Sequence, residues 1–87
     1  MKEAENRLKA DRTERAVLDA YFSLRSPRDG EFMSMVEERK TTLQVQDDLR
    51  STLEIEDVVI VDYMLHHGYL LIPDDDGSPI WRLFRLP

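Results

Sequence analysis

The chain contains no cysteine, which excludes disulfides and every zinc or iron–sulfur centre built on thiolates. Its three glycines, Gly30, Gly68 and Gly77, are scattered, so no glycine-rich loop is present to cradle a phosphate. No apolar run approaches the about 18 residues that a bilayer span needs. The first residues, Met1-Lys2-Glu3-Ala4-Glu5-Asn6-Arg7, are charged and lack the apolar core of a secretion signal. Together these absences lead to the expectation of a cytoplasmic chain with no membrane attachment.

What is there is an ordinary globular mixture of 87 residues, 41% hydrophobic and 34% charged. That length allows one domain, 1–87, with one modest core, and the apolar content is too high for a disordered chain. The net charge of −6 is unevenly placed. Residues 1–28 hold seven basic and five acidic side chains, whereas residues 29–87 hold five basic and thirteen acidic.

Residues 2–25 read as a helix, with 1–12 as a charged extension and Val17, Leu18, Tyr21 and Phe22 forming an apolar stripe farther on. Ser26-Pro27 closes it, because the residue before proline avoids the helical region. After the Asp29-Gly30 turn, Glu31–Lys40 reads as a short helix carrying Phe32, Met33 and Val36 on one face. Thr41–Val45 alternates apolar and polar residues, leaving room for a short third strand near 41–45 or the lead-in to the next helix. Leu49 and Leu53 mark a helix over 46–53. A longer helix from about Glu56 to His67 is apolar nearly all round and so belongs in the core, with Gly68 as its left-handed stop. Two apolar runs, 69–72 and 80–86, enclose Asp74-Asp75-Asp76-Gly77 and form a β-hairpin, with Gly77 supplying a positive φ.

The spacing Leu49-x3-Leu53-x-Ile55-x2-Val58, followed by Leu65-x2-Gly68-Tyr69, resembles the helix-turn-helix and the run into the wing of winged-helix domains. The resemblance covers residues 41–86. It implies an α+β, winged-helix-like fold of three to four helices ending in a two-stranded C-terminal hairpin. It also implies DNA binding, with the second helix of the pair in the major groove and the wing on the backbone.

The residues oppose that role. DNA binding rests on Lys and Arg at phosphates and on donors at base edges. Residues 41–79 contain one basic side chain, Arg50, against nine acidic ones: Asp47, Asp48, Glu54, Glu56, Asp57, Asp62, Asp74, Asp75 and Asp76. Glu56 and Asp57 suit a helix N-terminus and the triple aspartate suits a turn, but their field remains. A DNA-binding regulator therefore stands as the alternative function, with Arg12, Arg15, Arg39, Lys40, Arg82 and Arg85 as its contacts.

No metal or other cofactor is expected. Asp74-Asp75-Asp76-Gly77 lacks the alternating acids and the closing Glu of a calcium loop. Asp62, His66 and His67 fall short of a zinc ligand set, and histidines at a helix C-terminus are dipole partners. No spacing assembles a catalytic triad, so the chain is not read as an enzyme. The last strand carries large apolar residues on both faces, Ile80 and Phe84 on one and Trp81 and Leu83 on the other. Either the first helix wraps round to cover the second face, or an Arg-flanked apolar surface is left for a partner. On the second reading the chain is a protein–protein module, a homodimer or a small adaptor or regulatory subunit. Its contact residues are then Tyr63, Trp81, Arg82 and Phe84.

Overall fold

The computed structural model describes residues 8–30 and 34–86. Within them lie three helices and a four-stranded antiparallel sheet, an α+β arrangement. In chain order these are α1 (Arg12–Phe22), β1 (Arg25–Ser26), β2 (Val36–Lys40), α2 (Thr42–Leu49), α3 (Asp57–His66), β3 (Leu70–Pro73) and β4 (Pro79–Arg85).

α1 begins at a reciprocal cap. The Asp11 carboxylate accepts from the Glu14 backbone N–H at 2.7 Å, and the Glu14 carboxylate accepts from the Asp11 N–H at 3.0 Å. Two donors are thereby satisfied, one of them among those the first turn leaves free. This cap shortens the helix expected over 2–25: residues 8–10 lie outside it, and residues 1–7 are outside the described residues. The other end is early as well. The Ser23 hydroxyl donates to the Ala20 carbonyl at 2.7 Å, and Arg25–Ser26 is already a strand.

The helix expected over Glu31–Lys40 is replaced by strand β2 at Val36–Lys40, with residues 31–33 outside the described ones. β2 pairs with β4 from Val36↔Arg85 to Lys40↔Trp81. Charged residues are helix formers by intrinsic preference, but here pairing with an apolar neighbour strand overrides that preference. The third strand therefore lies at 36–40 and not near 41–45. Thr41 instead caps α2: its hydroxyl accepts from Gln44 N–H at 3.1 Å and the Gln44 amide oxygen accepts from Thr41 N–H at 2.8 Å.

α3 ends in a glycine stop. Gly68 takes φ +83°. Tyr69 N–H donates to the Met64 carbonyl at 3.0 Å and Gly68 N–H to the Leu65 carbonyl at 3.2 Å, the bond pair that closes a helix on a left-handed residue. β3 then pairs with β4 from Leu70↔Arg82 to Pro73↔Pro79. In the turn between them Asp74 N–H donates to the Ser78 carbonyl at 2.8 Å. Alternation along an antiparallel ladder then sets Pro73 opposite Pro79 at a step without hydrogen bonds, where neither missing N–H is needed.

β4 is the central strand. It pairs with β2 along one edge and with β3 and β1 along the other. Its Trp81 and Leu83 enter the core, fully buried, together with Leu18, Val45, Leu49, Ile55, Ile60 and Met64. The Trp81 indole N–H donates to the Thr42 hydroxyl at 2.8 Å, tying the sheet to the first turn of α2. Arg25 links three elements: its guanidinium donates to the Tyr21 carbonyl at 2.9 Å and to Glu38 at 3.1 Å, and lies 4.1 Å from the Tyr21 ring centre. Among the described residues no helix is long and apolar enough to cross a membrane.

Two substitutions test this architecture. Trp81→Ala removes a fully buried indole and is expected to cost about 3–5 kcal/mol in urea unfolding. Gly68→Ala is expected to cost about 1–2 kcal/mol through backbone strain alone, because an added Cβ would meet Pro27 only at an ordinary 4.0 Å.

Candidate interaction surface

α3 is apolar nearly all round, yet it is buried on one side only. Val59, Ile60, Tyr63 and Met64 face the core. Val58 is 56% exposed and Leu65 58% exposed, with Val61 half-buried between them. The spacing i, i+3, i+7 sets these three on one outward stripe. Asp57 and Asp62 border it, and Lys9 approaches from the segment before α1. Lys9, Asp57, Val58, Val61, Asp62 and Leu65 line a shallow groove of about 320 Å³.

The walls of the groove are held by local bonds. Lys9 N–H donates to the Asp62 carboxylate at 2.8 Å, pinning the entering chain across α3. Asp57 accepts from Val58 N–H at 2.8 Å, a first-turn bond suited to the helix dipole. His66 Nδ1 lies 2.8 Å from the Asp62 carbonyl and 3.4 Å from its carboxylate. His67 Nδ1 lies 2.9 Å from the Tyr63 carbonyl. Both imidazoles thus turn one nitrogen to their own helix. Among the described residues no three His, Asp or Glu side chains cluster as a metal would need. In the acidic turn, Asp76 accepts from Ser78 N–H at 2.9 Å, the work of a turn former.

Three of the four contact residues expected from the sequence are core residues. Tyr63 is 2% exposed, and its hydroxyl donates to Asp19. Its ring stacks on Phe22 at 5.5 Å and on His67 at 4.0 Å. Trp81 is fully buried and Phe84 is 7% exposed. Alternation along β4 sends Trp81 and Leu83 into the core and sets Phe84, also buried, on the opposite face. Arg82 is half-buried, with its guanidinium 5.1 Å from the Phe84 ring centre. Its Nε sits 3.5 Å from Glu37 without an aligned hydrogen bond.

The cations expected to meet DNA are not gathered on one face free of acid. Arg39 pairs with Glu37 at 2.9 Å, Lys40 with Asp48 at 2.8 Å and Arg85 with Glu38 at 3.3 Å, and Arg82 shares Glu37. The Arg39 hydrogen bond holds the Glu37 carboxyl below the usual range. Burial pushes the Asp48 carboxyl up, but bonds from Lys40 and from the Tyr21 hydroxyl (2.6 Å) outweigh it, and the net direction is down. Arg12 and Arg15 are exposed on the first turn of α1. Glu54, Glu56 and Asp57 are likewise exposed at the start of α3.

The sequence suggests an excess apolar side of this helix at Val59, Ile60 and Tyr63, but those face the core and the stripe Val58–Val61–Leu65 is outside, because a helix apolar nearly all round does not say which side is covered. The signal that marks it is the pair of carboxylates, Asp57 and Asp62, on either side. Comparison of the chain with protein-family models, with curated proteins and with solved structures returns no match.

All three tyrosines hold their protons beyond the ordinary value. Burial is the main cause in each, with the Asp48 and Asp19 bonds adding to it for Tyr21 and Tyr63. Tyr69 is pushed up to about 12. Unfolded tyrosine ionises near about 10. A raised folded value means that stability is intact below about pH 10 and declines above it. Phenolate absorbance is therefore expected to rise together with loss of helical circular dichroism on alkaline titration. Ionisation of any tyrosine near pH 10 in the folded chain would contradict this.

Proposed function

We propose that this chain is a non-catalytic interaction module of winged-helix type whose task is protein–protein contact. The fold part of the reading is supported by the order of α2, α3, the Gly68–Tyr69 step and the β3–β4 hairpin, the order that the sequence resemblance implies. The function part is carried by one observation: the outward face of α3 is an apolar stripe between carboxylates. A helix that reads DNA needs donors and cations on that face. A helix that meets a protein needs an apolar centre with a polar rim.

The contact residues in this reading are Val58, Val61 and Leu65, in place of the buried Tyr63, Trp81 and Phe84. Trp81 and its neighbours act indirectly, by fixing the sheet on which α2 and α3 rest. The DNA-binding alternative keeps one supporting feature, the exposed Arg12 and Arg15 on α1.

Titration with mixed-sequence duplex DNA at low salt separates the two. The protein-contact reading expects no saturation up to about 100 µM DNA, a range in which non-specific DNA binders bind even at physiological salt. Saturable binding that weakens steeply as salt rises would replace it with the DNA reading.

A further inference from the structure

We infer that the partner presents a basic amphipathic α-helix, which seats its apolar stripe on Val58, Val61 and Leu65 and its Lys or Arg side chains beside Asp57 and Asp62. This rests on the protein-contact reading and names the chemistry of what is contacted.

The groove itself argues for a helix. Its lining consists of side chains of α3 and of Lys9; no strand edge takes part. A segment seated there has to satisfy its own backbone N–H and C=O groups, which a helix does and an extended strand does not. From Val58 to Leu65 the stripe rises about 10 Å along α3, two turns, and two turns of a crossing helix match that length.

Charge selects the sign of the partner. Asp57 and Asp62 flank the stripe, and Glu54 and Glu56 precede it on the exposed approach to α3. Lys9 is the one cation among the described residues that line the groove, against the two carboxylates of Asp57 and Asp62. An acidic helix meets this rim with like charge. A second copy is disfavoured for the same reason: α3 laid antiparallel on α3 brings Asp62 near its own counterpart at the centre of the stripe. A helix flanked by Lys or Arg is attracted, and the attraction is screened by salt.

The test uses the full chain, isotope-labelled for amide spectra. An Ala-rich peptide of about 18 residues, long enough to be helical, carries a Leu stripe flanked by Lys. One control replaces every Lys by Glu, and a second replaces the Leu stripe by Ser. The Lys-flanked peptide is expected to shift the amides of α3 and of Leu8–Ala10. Its dissociation constant should lie below about 100 µM, in keeping with a small interface. Leu65→Lys changes an exposed position and should leave the fold intact while weakening binding at least about tenfold, as expected of a central contact. Asp57→Asn keeps the acceptor for Val58 N–H and should flatten the salt dependence between about 50 and about 500 mM.

Equal binding of the Glu-flanked peptide at α3 would overturn the basic-helix inference and leave the protein-contact reading standing. So would self-association of the chain that Leu65→Lys abolishes. Absence of any shift at α3 with the Lys-flanked peptide, or equal binding of the Ser control, would also overturn the inference. Duplex DNA shifting the α3 amides would overturn both readings.

Discussion

Both edges of β4 are filled with hydrogen bonds, and that double pairing organises everything around it. β2 comes from the middle of the chain, β3 from just before the turn and β1 from the end of the first helix, yet all three meet the same seven residues, Pro79–Arg85. A strand so placed has both edges covered, while its side chains alternate between two faces. Trp81 and Leu83 point into the helical layer, while Ile80 and Phe84 are buried on the opposite face beside the half-buried Arg82. Trp81 carries the constraint into the helical layer through its bond to Thr42, so the start of α2 is set by the sheet as well as by its own cap.

Features that act over a few residues were legible in the sequence. Gly68 is a stop because the chain must turn left-handed there, and the C-terminal strands were located to within a residue or two. Long-range pairing was not legible. Val36-Glu37-Glu38-Arg39-Lys40 has no β signature of its own and becomes a strand because β4 needs a neighbour. The start of α1 was missed for a different reason: the Asp11–Glu14 pair is a local signal, but the charged run before it obscured it. Likewise Tyr63 and Trp81 looked like contact residues because large aromatics serve both cores and interfaces. Only the fold distinguishes the two uses, and it assigns them to the core while leaving Val58 and Leu65 outside.

The excess of acid over base has a spatial logic. Glu37, Glu38 and Asp48 lie against the arginines and lysine of the sheet, and Asp19 and Asp48 accept from tyrosines. Those carboxylates have local partners. The ones around the outward face of α3 have mostly backbone partners or none among the described residues, and Asp74, Asp75 and Asp76 in the β3–β4 turn form a second acidic group. Carboxylates of this kind repel phosphates and other acids through their field.

The far side of β3 bears on a different hazard. Leu70 and Leu71 are 57% and 45% exposed on a strand whose outer edge is unpaired among the described residues. With Asp74 bonded to Ser78, the ladder aims Ile72 and Leu70 at β4 and leaves the odd positions facing outward. Of those, Pro73 has no N–H and the Tyr69 N–H is held by Met64. Leu71 alone offers a donor. An incoming strand from another molecule would find one amide where a growing fibril needs an unbroken row. Proline at the strand's end and a helix stop at its beginning thus leave this greasy margin short of donors for an incoming strand.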